Sequence, residues 1–75
     1  MRAETFQGAS RELRRRRPFE PYTVELFGGE RIVVTHPEAL AVYDDLATYY
    51  ETDGVSRYFD ATSVLQVYSI VVPPR

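Results

Sequence analysis

A short N-terminal helix leading into a small, five-stranded, strongly bent antiparallel β-barrel, an α+β architecture of one domain, is the fold this sequence predicts. Three observations point to it. Apolar residues in the first quarter recur at spacings of three and four, prolines then end that period, and the remainder is a series of short β-rich runs separated by glycine, aspartate and proline. With 75 residues the chain is near the lower size limit for independent folding, so a single domain over residues 1–75 is expected. The absence of cysteine excludes a disulfide framework and disfavours the common zinc sites. Oligomerisation is the stabilising device left, and neither a metal nor another cofactor is expected.

The helix is predicted over about residues 4–16, where Phe6, Ala9 and Leu13 fall on one side. Glu4 near its start and arginines near its end complement the helix dipole, and Pro18 and Pro21 force an extended exit. Gly8 weakens the first turns.

The β-rich part is predicted over about residues 21–72. Tyr22, Val24 and Leu26 alternate with Thr23 and Glu25, and Ile32, Val33 and Val34 follow after Gly28-Gly29, a glycine pair suited to a hairpin turn. At Thr35-His36-Pro37-Glu38 the chain should change direction, because proline cannot donate to a ladder. Leu40 to Tyr43 and Ala47 to Thr52 are strand-like and flank a polar Asp44-Asp45 corner. Asp53-Gly54 is the clearest turn signal. As a two-residue turn it would place Thr52 opposite Val55, Tyr50 opposite Arg57 and Tyr49 opposite Tyr58. The last run, Val64 to Val72, has apolar residues on both faces and ends at Pro73-Pro74. A strand of this kind near the end of a small domain is an edge for pairing with another subunit, through Val64, Gln66, Tyr68 and Ile70.

Charge is unevenly spread. The formal net charge is −2, yet Arg11, Arg14, Arg15, Arg16 and Arg17 crowd the first quarter while acids dominate the rest. That asymmetry suits an acidic partner or a nucleic acid, without the strongly basic balance usual in nucleic-acid binders. No charged-then-apolar leader opens the sequence and its apolar runs are too short to span a bilayer, which predicts a cytoplasmic protein without membrane contact.

The segment Leu13-Arg14-Arg15-Arg16-Arg17 running into Tyr22-Thr23-Val24-Glu25-Leu26-Phe27-Gly28-Gly29, with Ile70-Val71-Val72-Pro73 at the end, resembles the Sm-like family of SH3-like barrels, and its Hfq-like RNA chaperones in particular. The resemblance implies a ring-shaped homo-oligomer and RNA contacts from an arginine rim at Arg14, Arg15, Arg16 and Arg17. The chain departs from the family where the second motif carries basic residues. Asp60 and Ala61 stand there, and an aspartate repels phosphate, so the family's uridine-binding pore does not carry over. The stretch Arg17-Pro18-Phe19-Glu20-Pro21-Tyr22, with Gly29 and Val34-Thr35-His36-Pro37-Glu38, is also similar to short bacterial proteins without an assigned activity.

His36 is the sole histidine, and no serine or threonine stands in a nucleophile motif, so a loop-capping role is favoured over catalysis. Asp44, Asp45 and Asp53 read as turn residues, because their spacing lacks a calcium loop. Six tyrosines can build a stacking platform for bases, but half-buried strand positions account for them more simply. The predicted function is therefore a non-catalytic binding module that self-associates through strand edges, with RNA as a possible ligand of the arginines. The alternative is a protein-interaction module with no nucleic-acid role.

Overall fold

The computed structural model describes residues 1–51 and 53–69. Helix α1 spans Ala3–Arg15 and buries Phe6, Ser10 and Leu13, a stripe at spacings of four and three. Ser10 rather than Ala9 is the middle residue of the buried face, and Ala9 is only half-buried. Gly8 sits with open space around it and does not interrupt the helix. Beyond Arg15, Arg17 Nη1 donates to the carbonyls of Arg14 (3.1 Å) and Arg16 (2.9 Å), satisfying acceptors that a helix end leaves free.

Six strands follow: β1 Tyr22–Leu26, β2 Arg31–Val34, β3 Leu40–Tyr43, β4 Leu46–Tyr50, β5 Ser56–Asp60 and β6 Val64–Ser69, with a 3-10 turn at Ala61–Ser63 before the last. They form two three-stranded antiparallel sheets, ordered β2-β1-β6 and β3-β4-β5. The five-stranded barrel expected from the sequence is not what forms. Closure needs a ladder that continues around the circle. Here the ladder is interrupted at the Pro37 corner between β2 and β3, and again at the 3-10 turn between β5 and β6.

Two hairpins share one loop design, and it differs from the two-residue turn expected at Asp53-Gly54. In the first, Leu26 N–H donates to the Glu30 carbonyl (2.8 Å) and Gly29 N–H to the Leu26 carbonyl (2.9 Å), with Gly29 at φ 90°. In the second, Glu51 N–H donates to the Val55 carbonyl (3.0 Å) and Gly54 N–H to the Glu51 carbonyl (3.1 Å), with Gly54 at φ 88°. Each is a three-residue loop whose last residue is the glycine, the geometry in which a turn is followed by a positive-φ residue. The extra loop residue moves the β4–β5 register by one, so that Tyr50 opposes Ser56, Tyr49 opposes Arg57 and Thr48 opposes Tyr58. Such a slip exchanges the two faces of β5.

That exchange builds the core. Phe59 now opposes Ala47 and meets Phe6 at a ring separation of 6.0 Å. Tyr22 and Val24 of β1, Ile32 and Val34 of β2, Leu40 of β3, and Ala61 and Val64 complete the buried cluster beneath Phe6 and Leu13. A register shift where Glu25 opposes Gln66 but Leu26 opposes Val64 makes Leu65 an extra residue. The bulge turns Val64 into the core, fully buried, and separates it from Gln66 and Tyr68 on the same strand. Ile70, the fourth residue of the expected subunit edge, lies outside the described residues, as do Val71 to Arg75 and Thr52.

Candidate functional site

Of the four consecutive arginines, the fold brings three to one place. Arg14, Arg15 and Arg17 line one wall of a cleft of about 400 Å³, and Pro37, Glu38, Leu40 and Ala41 form the other. Arg16 points elsewhere and pairs with Glu20 at 3.7 Å across the helix end. The local reason is periodicity: Arg14 and Arg15 share the last helical turn, while Pro18 breaks the period so that Arg17 folds back over its carbonyls. Next to this cleft a smaller one of about 190 Å³ continues along the same helix–strand seam, lined by Gln7, Ser10, Arg11 and Arg14 against Val42, Tyr43 and Asp44. Arg14 belongs to both. The helix is anchored at the far end, where Gln7 Nε2 donates to the Asp44 carbonyl.

The floor of the seam is a sheet edge with no further strand among the described residues. Among the described residues, β3 is paired with β4 alone. Tyr50 N–H donates to the Ala39 carbonyl at 2.8 Å, which fixes the alternation of the ladder: Ala41 and Tyr43 bond to β4, while the amides and carbonyls of Leu40 and Val42 point outward. The arginine cleft therefore offers guanidinium groups on one side and, on the other, backbone donors and acceptors that point away from β4 and have no strand partner among the described residues.

Beneath the seam lies Tyr22. Burial pushes its phenol pKa up, against the opposing influence of the Ser10 hydroxyl and the Arg14 charge. Its oxygen is shielded from solvent and has no hydrogen-bond partner among the described residues, Ser10 being near enough to lower its pKa without reaching bonding geometry.

Two of the remaining sequence-predicted aspartates bond within their own turns. Asp60 accepts hydrogen bonds from Ser63 Oγ (2.7 Å) and Thr62 Oγ1 (3.0 Å), in that order the causes that hold its carboxyl below the usual range. It thereby fastens the 3-10 turn, and Ala61 beside it is buried. Asp53 Oδ1 accepts from the Val55 amide at 3.0 Å within the second hairpin loop. His36 is exposed, and its carbonyl accepts from the Ala39 amide. Among the described residues no group of three or more His, Cys, Asp or Glu side chains could hold a metal ion, and no helix is long and apolar enough to cross a membrane.

One surface was not legible as a site. On β3, β4 and β5 the inward positions are Leu40, Val42, Ala47, Tyr49, Arg57 and Phe59, and the opposite face carries Tyr43, Leu46, Tyr50 and Tyr58. These are 85%, 47%, 52% and 67% exposed. Half of the tyrosines thus stand in solvent on one sheet rather than filling the core. The signal was present in the alternation Leu46, Thr48, Tyr50, but the face of Tyr58 depended on the hairpin register.

No family model, no curated protein and no solved structure matches this chain.

Proposed function

We propose that this chain is a cytoplasmic, non-catalytic binding module that takes an anionic polymer into the cleft between the end of α1 and the Pro37 corner, with single-stranded RNA as the leading ligand. The observation that carries this reading is the convergence of Arg14, Arg15 and Arg17 on one cleft wall, where guanidinium groups can neutralise phosphates and stack on bases. The resemblance of the arginine segment to the Hfq-like rim supports the same ligand. Asp60 does not oppose it, because its carboxylate is committed to the 3-10 turn and is not among the residues lining the cleft.

A second reading is supported by the outward edge of β3, which carries no further strand among the described residues. An extended acidic peptide can pair its backbone with Leu40 and Val42 while its carboxylates meet the arginines. Self-association through the β6 edge at Gln66 and Tyr68 is compatible with either.

The test is anisotropy of a labelled single-stranded RNA of about 20 nucleotides, titrated at several salt concentrations, with an unlabelled Asp/Glu-rich peptide as competitor. Three phosphate contacts give a log–log salt slope of roughly −2. The triple variant R14A/R15A/R17A should lose at least tenfold in affinity. Binding that is absent, or indifferent to the triple variant, removes the RNA reading. Retention of the peptide alone moves the assignment to the protein-interaction module.

A further inference from the structure

The outer face of the sheet β3-β4-β5 presents three tyrosines and a leucine to solvent, a concentration of exposed apolar surface that an isolated small domain does not ordinarily carry. Its surroundings are acidic. Asp44 and Asp45 join β3 to β4 at one end, where Asp60 opposes Leu46, and Glu51 and Asp53 lie at the other. The one arginine on these strands, Arg57, is on the inward-facing set and paired with Glu30. An aromatic face ringed by carboxylates repels a nucleic acid and attracts cations, which tyrosine rings bind over their faces.

The molecule carries the matching surface itself. Arg11, Arg14 and Arg15 are exposed on α1, lie within about 6 Å along the helix axis, and have no ion-pair partner among the described residues. We infer that the tyrosine face of one copy receives the arginine-bearing surface of α1 from a second copy, with guanidinium groups over Tyr50 and Tyr58 and ion pairs at the acidic rim. The two surfaces are different parts of one chain, so the contact is head-to-tail and builds a ring or an open chain rather than a two-fold dimer. This association does not use strand edges and goes beyond the proposed ligand-binding function. It draws on the same arginines, so a bound polyanion competes with it.

The test is mass in solution by light scattering, at about 100 µM protein in 50 mM and 500 mM NaCl, with circular dichroism to establish that each variant is folded. The wild type is expected above monomer mass at low salt and near monomer mass at high salt. The helix variant R11E/R14E/R15E and the face variant Y50K/Y58K should each be monomeric alone. Mixed in equal amounts, they should form a one-to-one dimer and nothing larger, since only one competent surface remains on each. A wild type that is monomeric at both salts, an assembly unaffected by Y50K/Y58K, or a mixture that stays monomeric overturns the inference. Y50K/Y58K leaves the arginine cleft intact, so RNA binding by that variant reports on the proposed function separately.

Discussion

Tyr22 shows how a single side chain is held by competing physical demands. Its ring is fully buried in the core, but its hydroxyl is shielded from water with no hydrogen-bond partner among the described residues. An unmade buried hydrogen bond costs stability that removal of the group returns. Tyr22→Phe is expected to leave stability at neutral pH unchanged or raised by up to about 1 kcal/mol in urea unfolding, and a loss larger than that would show a bonded hydroxyl. The raised folded-state pKa also sets a sign. Stability from the neutral phenol is fully present below the unfolded value near 10 and is lost as pH rises through the folded value. Tyr22→Phe should therefore flatten the alkaline side of the stability–pH curve relative to the wild type. Asp60 works in the opposite direction, since its lowered pKa places its contribution above the ordinary carboxylate range and removes it in acid.

At the scale of the elements, glycine has two meanings in this chain. Gly54 closes a hairpin loop at φ 88°, and none of the described residues lies within 4 Å of the position a Cβ would take, so substitution there is opposed by backbone conformation. Gly54→Ala is expected to destabilise by about 1–2 kcal/mol. Gly8 is also surrounded by open space but sits inside a helix, where Gly8→Ala should stabilise by roughly 0.5–1 kcal/mol. Thermal unfolding of the two variants side by side checks the opposite signs. The same elements show how far the sequence could be read. The helix was visible in Phe6 and Leu13, and the turns in Gly28-Gly29 and Asp53-Gly54, because periodicity and turn chemistry are local properties. The length of the second hairpin loop was not, and with it went the face of Tyr58. The two-residue and three-residue alternatives differ by one register step, and burial of Phe59 against Phe6 distinguishes them only in the folded molecule.

At the scale of the whole molecule, stability depends on how α1 joins the two sheets. Phe6 is fully buried and connects the helix to the second sheet through Phe59. A domain of this size has a total stability of about 4–11 kcal/mol, and truncating a buried phenylalanine costs about 3–5 kcal/mol. Phe6→Ala should therefore unfold the protein or nearly so. Phe27→Ala, at a ring that is 65% exposed, should change stability by less than about 0.5 kcal/mol. Urea midpoints of the two variants separate a core that runs through α1 from sheets that stand without it.

What the sequence determined by itself was the α+β composition, a helix ahead of the strands though with five strands expected where six form, and the clustering of arginines at a helix end, since each follows from neighbours within a few residues of one another. What only tertiary structure decided was the division into two three-stranded sheets in place of a barrel, the bulge that turns Val64 inward, the meeting of Arg14, Arg15 and Arg17 with the Pro37 corner, and the gathering of tyrosines on one face. Those outcomes depend on which strands pair and in what register. Pairing is chosen by the burial of side chains far apart in the chain, a free-energy difference that no local pattern records.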